Sequence, residues 1–150
     1  MTGAAPAEAL RWAVKDSFIR YVRTVAGTCE ATGEARLDAD GVFTFPVIGS
    51  EREADSEVLA FGGGARFHAH GGFLDIEFGA LELWLTPEGG ALHVRTAANE
   101  RVALATMEPA GSDGGDTLVP HLTDAGAAVF GNVYAVGTEL APLSVIALLD

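Results

Sequence analysis

At 150 residues, with 49% apolar and 20% charged side chains, the chain has the length of one domain with a full core and the composition of a folded protein. Its formal charge of −12 repels nucleic acid and anionic membrane surfaces at long range, so an anionic ligand would need local donors. A lone cysteine, Cys29, excludes an internal disulfide and a cysteine-based zinc or iron–sulfur set.

A single domain over residues 1–150 is expected. No run approaches the roughly 20 apolar residues of a membrane span, and Met1 to Glu8 lack the basic and apolar regions of a secretory signal. As it stands the chain is expected to be cytoplasmic, or extracellular if it is cut from a longer precursor.

Residues 6–25 are predicted as an amphipathic helix, with Pro6 in the first turn, Glu8 near the positive end of the dipole and Gly27 past the end. Leu10, Val14, Phe18 and Val22 recur at i, i+4 and form its core stripe. Ser17 and Tyr21, also one turn apart, project side by side at the edge of that stripe.

From Thr28 to Met107 the pattern changes to short alternating or β-rich runs broken by Gly, Asp and Pro, the signature of antiparallel strands. Asp40-Gly41 and Glu88-Gly89-Gly90 are predicted hairpin turns, Asn99-Glu100 joins two further strands, and Cys29 is a small strand residue. Phe61-Gly62-Gly63-Gly64 fits neither a Walker motif nor a dinucleotide fingerprint, and a β-bulge or a close backbone approach is expected there.

Pro109 to Asp116 is predicted as a surface loop. A second helix is predicted over Asp124 to Phe130, capped by Thr123 and ended by Gly131, and a last strand over Leu143 to Leu149. The fold class is therefore mainly β, an antiparallel β-sandwich with two short α-helices.

The two tyrosines, Tyr21 and Tyr134, and the segment Phe67-His68-Ala69-His70 come from three distant stretches that could converge on one pocket. An oxygen ligand backed by an imidazole suits ferric haem, and Arg20, Arg23, hydroxyls or backbone N–H groups would have to meet its propionates. On a regular strand His68 and His70 share a face, so either could point at the pocket. Asp75 is read as a structural carboxylate, His93 and His121 as surface or strand residues, and Trp12, Trp84, Phe18, Phe43, Phe61 and Phe130 as core. No Ser-His-Asp or Cys-His signature is present.

Three segments, Leu10 to Tyr21, Arg66 to Asp75 and Phe130 to Leu143, in this order and at these separations, resemble the HtaA-type domain, the haem-binding module of actinobacterial haem-uptake proteins. The resemblance covers nearly the whole chain and implies a sandwich of antiparallel strands with short helices beside the haem. In that family a helix tyrosine binds ferric haem iron and a histidine hydrogen-bonds to the tyrosine oxygen. The matching positions are Tyr21, as metal ligand, and His70, with Ser17 and Tyr134 as contacts to the porphyrin or its propionates.

A phenolate is a hard anionic donor that favours Fe(III), and protonation or reduction weakens its bond, which suits transport, exchange or storage better than redox catalysis. The implied partners are haem and another haem-carrier protein, and a homodimer stays open. The chain has Ala141-Pro142 where the family usually places Asp-Pro. The alternative reading is a pocket enzyme, a cyclase or isomerase of bacterial specialised metabolism, using Tyr21 and His70 as an acid/base pair.

Overall fold

A computed structural model describes residues 8–69, 74–107, 117–130 and 134–147. The described residues form one 12-stranded, strongly curled antiparallel sheet and two short helices, so the mainly β antiparallel class holds, with one sheet curling on itself to enclose the core. In chain order the elements are β1 (Glu8–Trp12), α1 (Asp16–Thr24), β2 (Thr28–Thr32), β3 (Arg36–Leu37), β4 (Phe43–Glu53), β5 (Ser56–Phe61), β6 (Gly64–Ala69) and β7 (Leu74–Thr86). There follow β8 (Gly89–Thr96), β9 (Arg101–Met107), β10 (Thr117–Leu118), β11 (His121–Leu122), α2 (Asp124–Val129) and β12 (Leu143–Ala147).

The sheet path runs β10-β12-β1-β4-β5-β7-β8-β9-β11, with β3 on β4, and β6 on β7 carrying β2 at its other side. The 13-residue β7 serves two neighbours on one edge, β6 through Leu74 to Gly79 and β5 through Glu82 to Leu85. Between them Ala80 takes a positive φ of 48°, the point at which the strand changes partner.

The predicted helix over residues 6–25 is corrected by the structure. Its first half is strand β1, held between β12 and β4 with Leu10 opposite Val145 on one side and Phe45 on the other. A period of four is also twice a period of two, so Leu10 and Val14 fit a helix stripe and a strand face equally well; all four stripe residues are buried, as predicted, but only Phe18 and Val22 are helical. Val14, with φ 61°, makes the turn and Lys15 is the helix N-cap. Pro6 and the expected loop Pro109 to Asp116 lie outside the described residues.

The hairpin turn expected at Glu88-Gly89-Gly90 falls on Pro87-Glu88, and Gly89 and Gly90 already pair with Thr86 and Leu85 as strand residues of β8. Asp38 Oδ1 accepts from the backbone N–H of Asp40 and Val42, and Gly41 supplies φ 87° for the hairpin between β3 and β4. A Cβ on Gly63, where φ is 82°, would stand 2.3 Å from the Ala35 nitrogen, so this glycine run is the close backbone approach anticipated. The Thr123 hydroxyl accepts from Gly126 N–H at 2.9 Å and caps α2, whose last residue is Val129. The predicted final strand is present as β12. Trp12, Phe18, Phe43, Phe61 and Phe130 are buried in one core cluster as expected, but Trp84 departs from its expected place: it faces outward, 42% exposed, and its Nε1 donates to Glu82.

Candidate functional site

The site is built on α1. Asp16 in the first turn and Arg23 in the last suit the helix dipole, and the helix buries Phe18, Ile19 and Val22 against the sheet. Phe18 is the pivot: its ring meets Phe67 of β6 edge-on at 5.0 Å, Phe130 beyond α2 at 5.4 Å and Tyr134 at 6.3 Å. With this face turned inward, the i, i+4 pair Ser17 and Tyr21 must point outward, and both are exposed.

Tyr134 comes from the far end of the chain and completes the group. Its hydroxyl is hydrogen-bonded to Ser17, Tyr21 lies close enough for its charge to act on it, and its half-buried ring leans on Phe18 and, at 6.2 Å, on Phe130. Three hydroxyls from positions 17, 21 and 134 therefore share one face of α1, beside an apolar wall of rings.

Burial pushes the Tyr134 phenol above its ordinary value; the bond to Ser17 opposes the rise and the neighbouring Tyr21 adds to it. An alkaline titration followed by phenolate absorbance should accordingly contain a component above the usual tyrosine value of about 10 that disappears in Tyr134→Phe. The neutral phenol is the form favoured by the fold, so below that value the shift has no effect on stability. Above it the unfolded chain ionises first, and stability falls as pH rises toward the folded value.

A strap of chain fixes Tyr134 in place. Ala141 N–H donates to the Val14 oxygen and Trp12 Nε1 donates to the Ala141 oxygen, both at 2.8 Å, while Lys15 Nζ donates to the Glu139 oxygen at 3.3 Å. On its other side the strap is bonded to β11 through Leu122 N–H to the Thr138 oxygen and Gly137 N–H to the Leu122 oxygen. Residue 141 makes these bonds with its backbone while its side chain packs against the core, a place that suits alanine.

Of the predicted site residues, Ser17, Tyr21 and Tyr134 are brought together, and His70 lies outside the described residues. Ala69, the residue before it, is buried where the chain leaves α1: a Cβ on Gly27 would stand 2.7 Å from the Ala69 Cβ and 2.6 Å from the His68 oxygen. His68 falls on the opposite face of β6 from buried Ala65, Phe67 and Ala69, the face on which Arg66 pairs with Asp75 at 3.3 Å. That pair gives Asp75 the structural role expected of it.

His93 lies half-buried beside Trp84, and burial pulls its imidazole below the usual value, with Arg101 adding to the fall and Glu82 opposing it. His121 stands 4.0 Å from Glu139 on the surface. Cys29 is a half-buried residue of β2 whose thiol burial pushes up, against the opposing charge of Arg23.

Arg20 and Arg23 occupy an adjacent flank of α1, where with Asp16 and Asp40 they line a hollow of about 490 Å³. The reading of the sequence passed over Lys15, whose Nζ sits 5.5 Å from the centre of the Tyr134 ring.

A curled antiparallel sheet that presents one short helix, with three hydroxyls from two distant stretches of chain gathered on it, defines a mainly β domain whose distinctive surface is α1 and its strap. The HtaA (Htaa) family model matches residues 7–146, and the chain belongs to the HtaA family. Among solved structures the chain is similar to the C-terminal domain of HtaA from Corynebacterium glutamicum, at 22% identity and a TM-score of 0.80 over 93% of this chain and 94% of that one. It is similar to the N-terminal domain of the same protein at 21% identity and a TM-score of 0.80, covering 98% and 99% of the two chains. The haem-binding protein HtaB from Corynebacterium glutamicum matches at 21% identity and a TM-score of 0.67, over 97% and 96%. No curated protein matches the chain by sequence.

Proposed function

We propose that this protein binds ferric haem through the phenol oxygen of Tyr21, holding it for transport, exchange or storage as part of haem uptake. The observation that carries the proposal is the convergence of Ser17, Tyr21 and Tyr134, from two distant parts of a chain that belongs to the HtaA family, on one face of α1. A structural relative, HtaB, is named as a haem-binding protein, which supports the same ligand.

The donor set fits this group better than a bare ion. Among the described residues no three His, Cys, Asp or Glu side chains gather to hold a metal, so at the described part of this face an ion would meet only the hydroxyls of Ser17, Tyr21 and Tyr134. A porphyrin supplies four nitrogen ligands of its own and needs only an axial donor from the protein. Iron in the porphyrin would act as the Lewis acid that draws the Tyr21 phenol into its anionic form. The protein's part is to hold that oxygen outward on a helix anchored by Phe18, with His70 as the imidazole that stabilises the phenolate and Ser17 and Tyr134 as hydrogen-bonding groups to the ligand's periphery.

Among the described residues no helix is long and apolar enough to cross a membrane. Titration of the purified protein with hemin tests the reading. Saturable binding at one equivalent with a tyrosinate-type ferric spectrum is expected; a linear absorbance rise identical to that of hemin in buffer would sink the proposal.

A further inference from the structure

Resting on the haem reading above, we infer that Lys15 is the residue that receives a carboxylate of the bound ligand, making this site selective for an acidic porphyrin over its neutral esters. Lys15 is the only lysine of the chain, in a protein whose formal charge is −12. It stands directly before α1, two residues from Ser17, and its ammonium lies over the Tyr134 ring at 5.5 Å while donating one hydrogen bond to the Glu139 backbone oxygen at 3.3 Å.

What distinguishes Lys15 from the other cations is its place directly before α1 and over the Tyr134 ring. Arg11, Arg52, Arg66 and Arg101 are each matched to a carboxylate within 3.5 Å, to Asp38, Glu57, Asp75 and Glu82 respectively. Arg23 donates to the Ala39 oxygen, and the flank it shares with Arg20 also carries Asp16 and Asp40. Lys15 makes no ion pair among the described residues; the carboxylate of Glu139, whose backbone oxygen it uses, faces His121 instead.

An ammonium has three donors, and the bond to Glu139 employs one. The ring beneath it fixes its position and excludes water from one side, which strengthens its interaction with an arriving anion. The Ser17–Tyr134 hydroxyl pair lies beside it, so a carboxylate there would meet one full positive charge and two hydroxyl groups. In a chain this acidic, a cation held against the Tyr134 ring also favours the approach of an anionic ligand to this face.

The test compares hemin with hemin dimethyl ester on the full chain, in its original form and as Lys15→Gln and Lys15→Arg. Loss of a charged hydrogen bond in Lys15→Gln should weaken hemin about tenfold, leave the ester unchanged, and be largely restored in Lys15→Arg. Equal hemin affinity in Lys15→Gln, or an equal loss for hemin and ester, overturns the inference while leaving the haem reading intact. Failure of the unsubstituted chain to bind hemin removes the haem reading and this inference with it, a result seen before any substitution is made.

A second measurement needs no variant. Amine acetylation can reach only Lys15 and the chain's α-amino group, so bound hemin should slow modification of Lys15 severalfold and leave the α-amino rate as an internal reference. Unchanged Lys15 acetylation in the hemin-loaded protein would overturn the inference.

Discussion

Tyr21→Phe is expected to raise the hemin dissociation constant by at least about 100-fold, because loss of a metal ligand should cost more than the 10- to 100-fold typical of its supporting groups. The substitution keeps the ring and removes only the oxygen, so the tyrosinate-type ferric spectrum should vanish with the affinity. Tyr21 is 47% exposed, and deleting one hydroxyl at such a position should cost no more than about 1 kcal/mol of stability. A fall in affinity therefore cannot be ascribed to unfolding, and a urea titration run beside the hemin titration checks this directly. His70→Ala should produce the smaller loss, about 10- to 100-fold, with the tyrosinate-type spectrum retained in the residual complex. Retention of full affinity in Tyr21→Phe would transfer the ligand role elsewhere and end the proposal as stated.

The pairing of Ser17 with Tyr21 could be read from the sequence because an i, i+4 relation is local: nine helical residues suffice to place both side chains on one face. The arrival of Tyr134 on that same face depends on a strap held by Trp12, Val14 and Lys15 across more than a hundred residues. Pattern alone supplies no such contact; the family resemblance did. The helix over residues 6–25 failed for a definable reason, since Leu10 and Val14 satisfy both periodicities and only the pairing of β1 with β4 and β12 decides between them.

Turns were more legible than faces. Asp40-Gly41 and Thr123 announce themselves through short-range chemistry, a side-chain oxygen or a positive φ at a fixed offset. Trp84 does not, because strand alternation says that one face is buried without saying which. It opposes Val58 and Ala91 on neighbouring strands, whereas Leu83 and Leu92 take the core positions. The selective position of Lys15 was legible only as a count: a sole lysine in an acidic chain is a signal, and the Tyr134 ring beneath it gives that signal a place.

Phe18→Ala should couple the fold to the site more strongly than any other core substitution. Phe18 is 3% exposed and meets three aromatic rings, one from β6 and two from the segment around Phe130 and Tyr134. Truncation should cost about 3–5 kcal/mol, a large part of the 5–15 kcal/mol that holds a typical domain together. Leu92→Ala in β8 provides the comparison, since Leu92 is fully buried and its loss should cost about 2–5 kcal/mol by the same cavity mechanism. The two variants should therefore have similarly lowered urea midpoints.

Their hemin affinities should differ. Leu92 is no part of the ring cluster around Phe18 and is separated from strap-bonded Leu122 by Ala105 of β9, so where Leu92→Ala remains folded its affinity should fall less than that of Phe18→Ala, by about twofold at most. Phe18→Ala removes the ring on which α1 rests and against which Tyr134 leans, so Ser17, Tyr21 and Tyr134 lose their common frame. An affinity loss of about tenfold or more is expected there, accompanied by movement of the Tyr134 titration toward the ordinary phenol value as its ring becomes wetter. Equal affinities in the two variants at matched stability would mean that α1 is positioned by Ile19 and Val22 alone and that the aromatic cluster serves the core without serving the site.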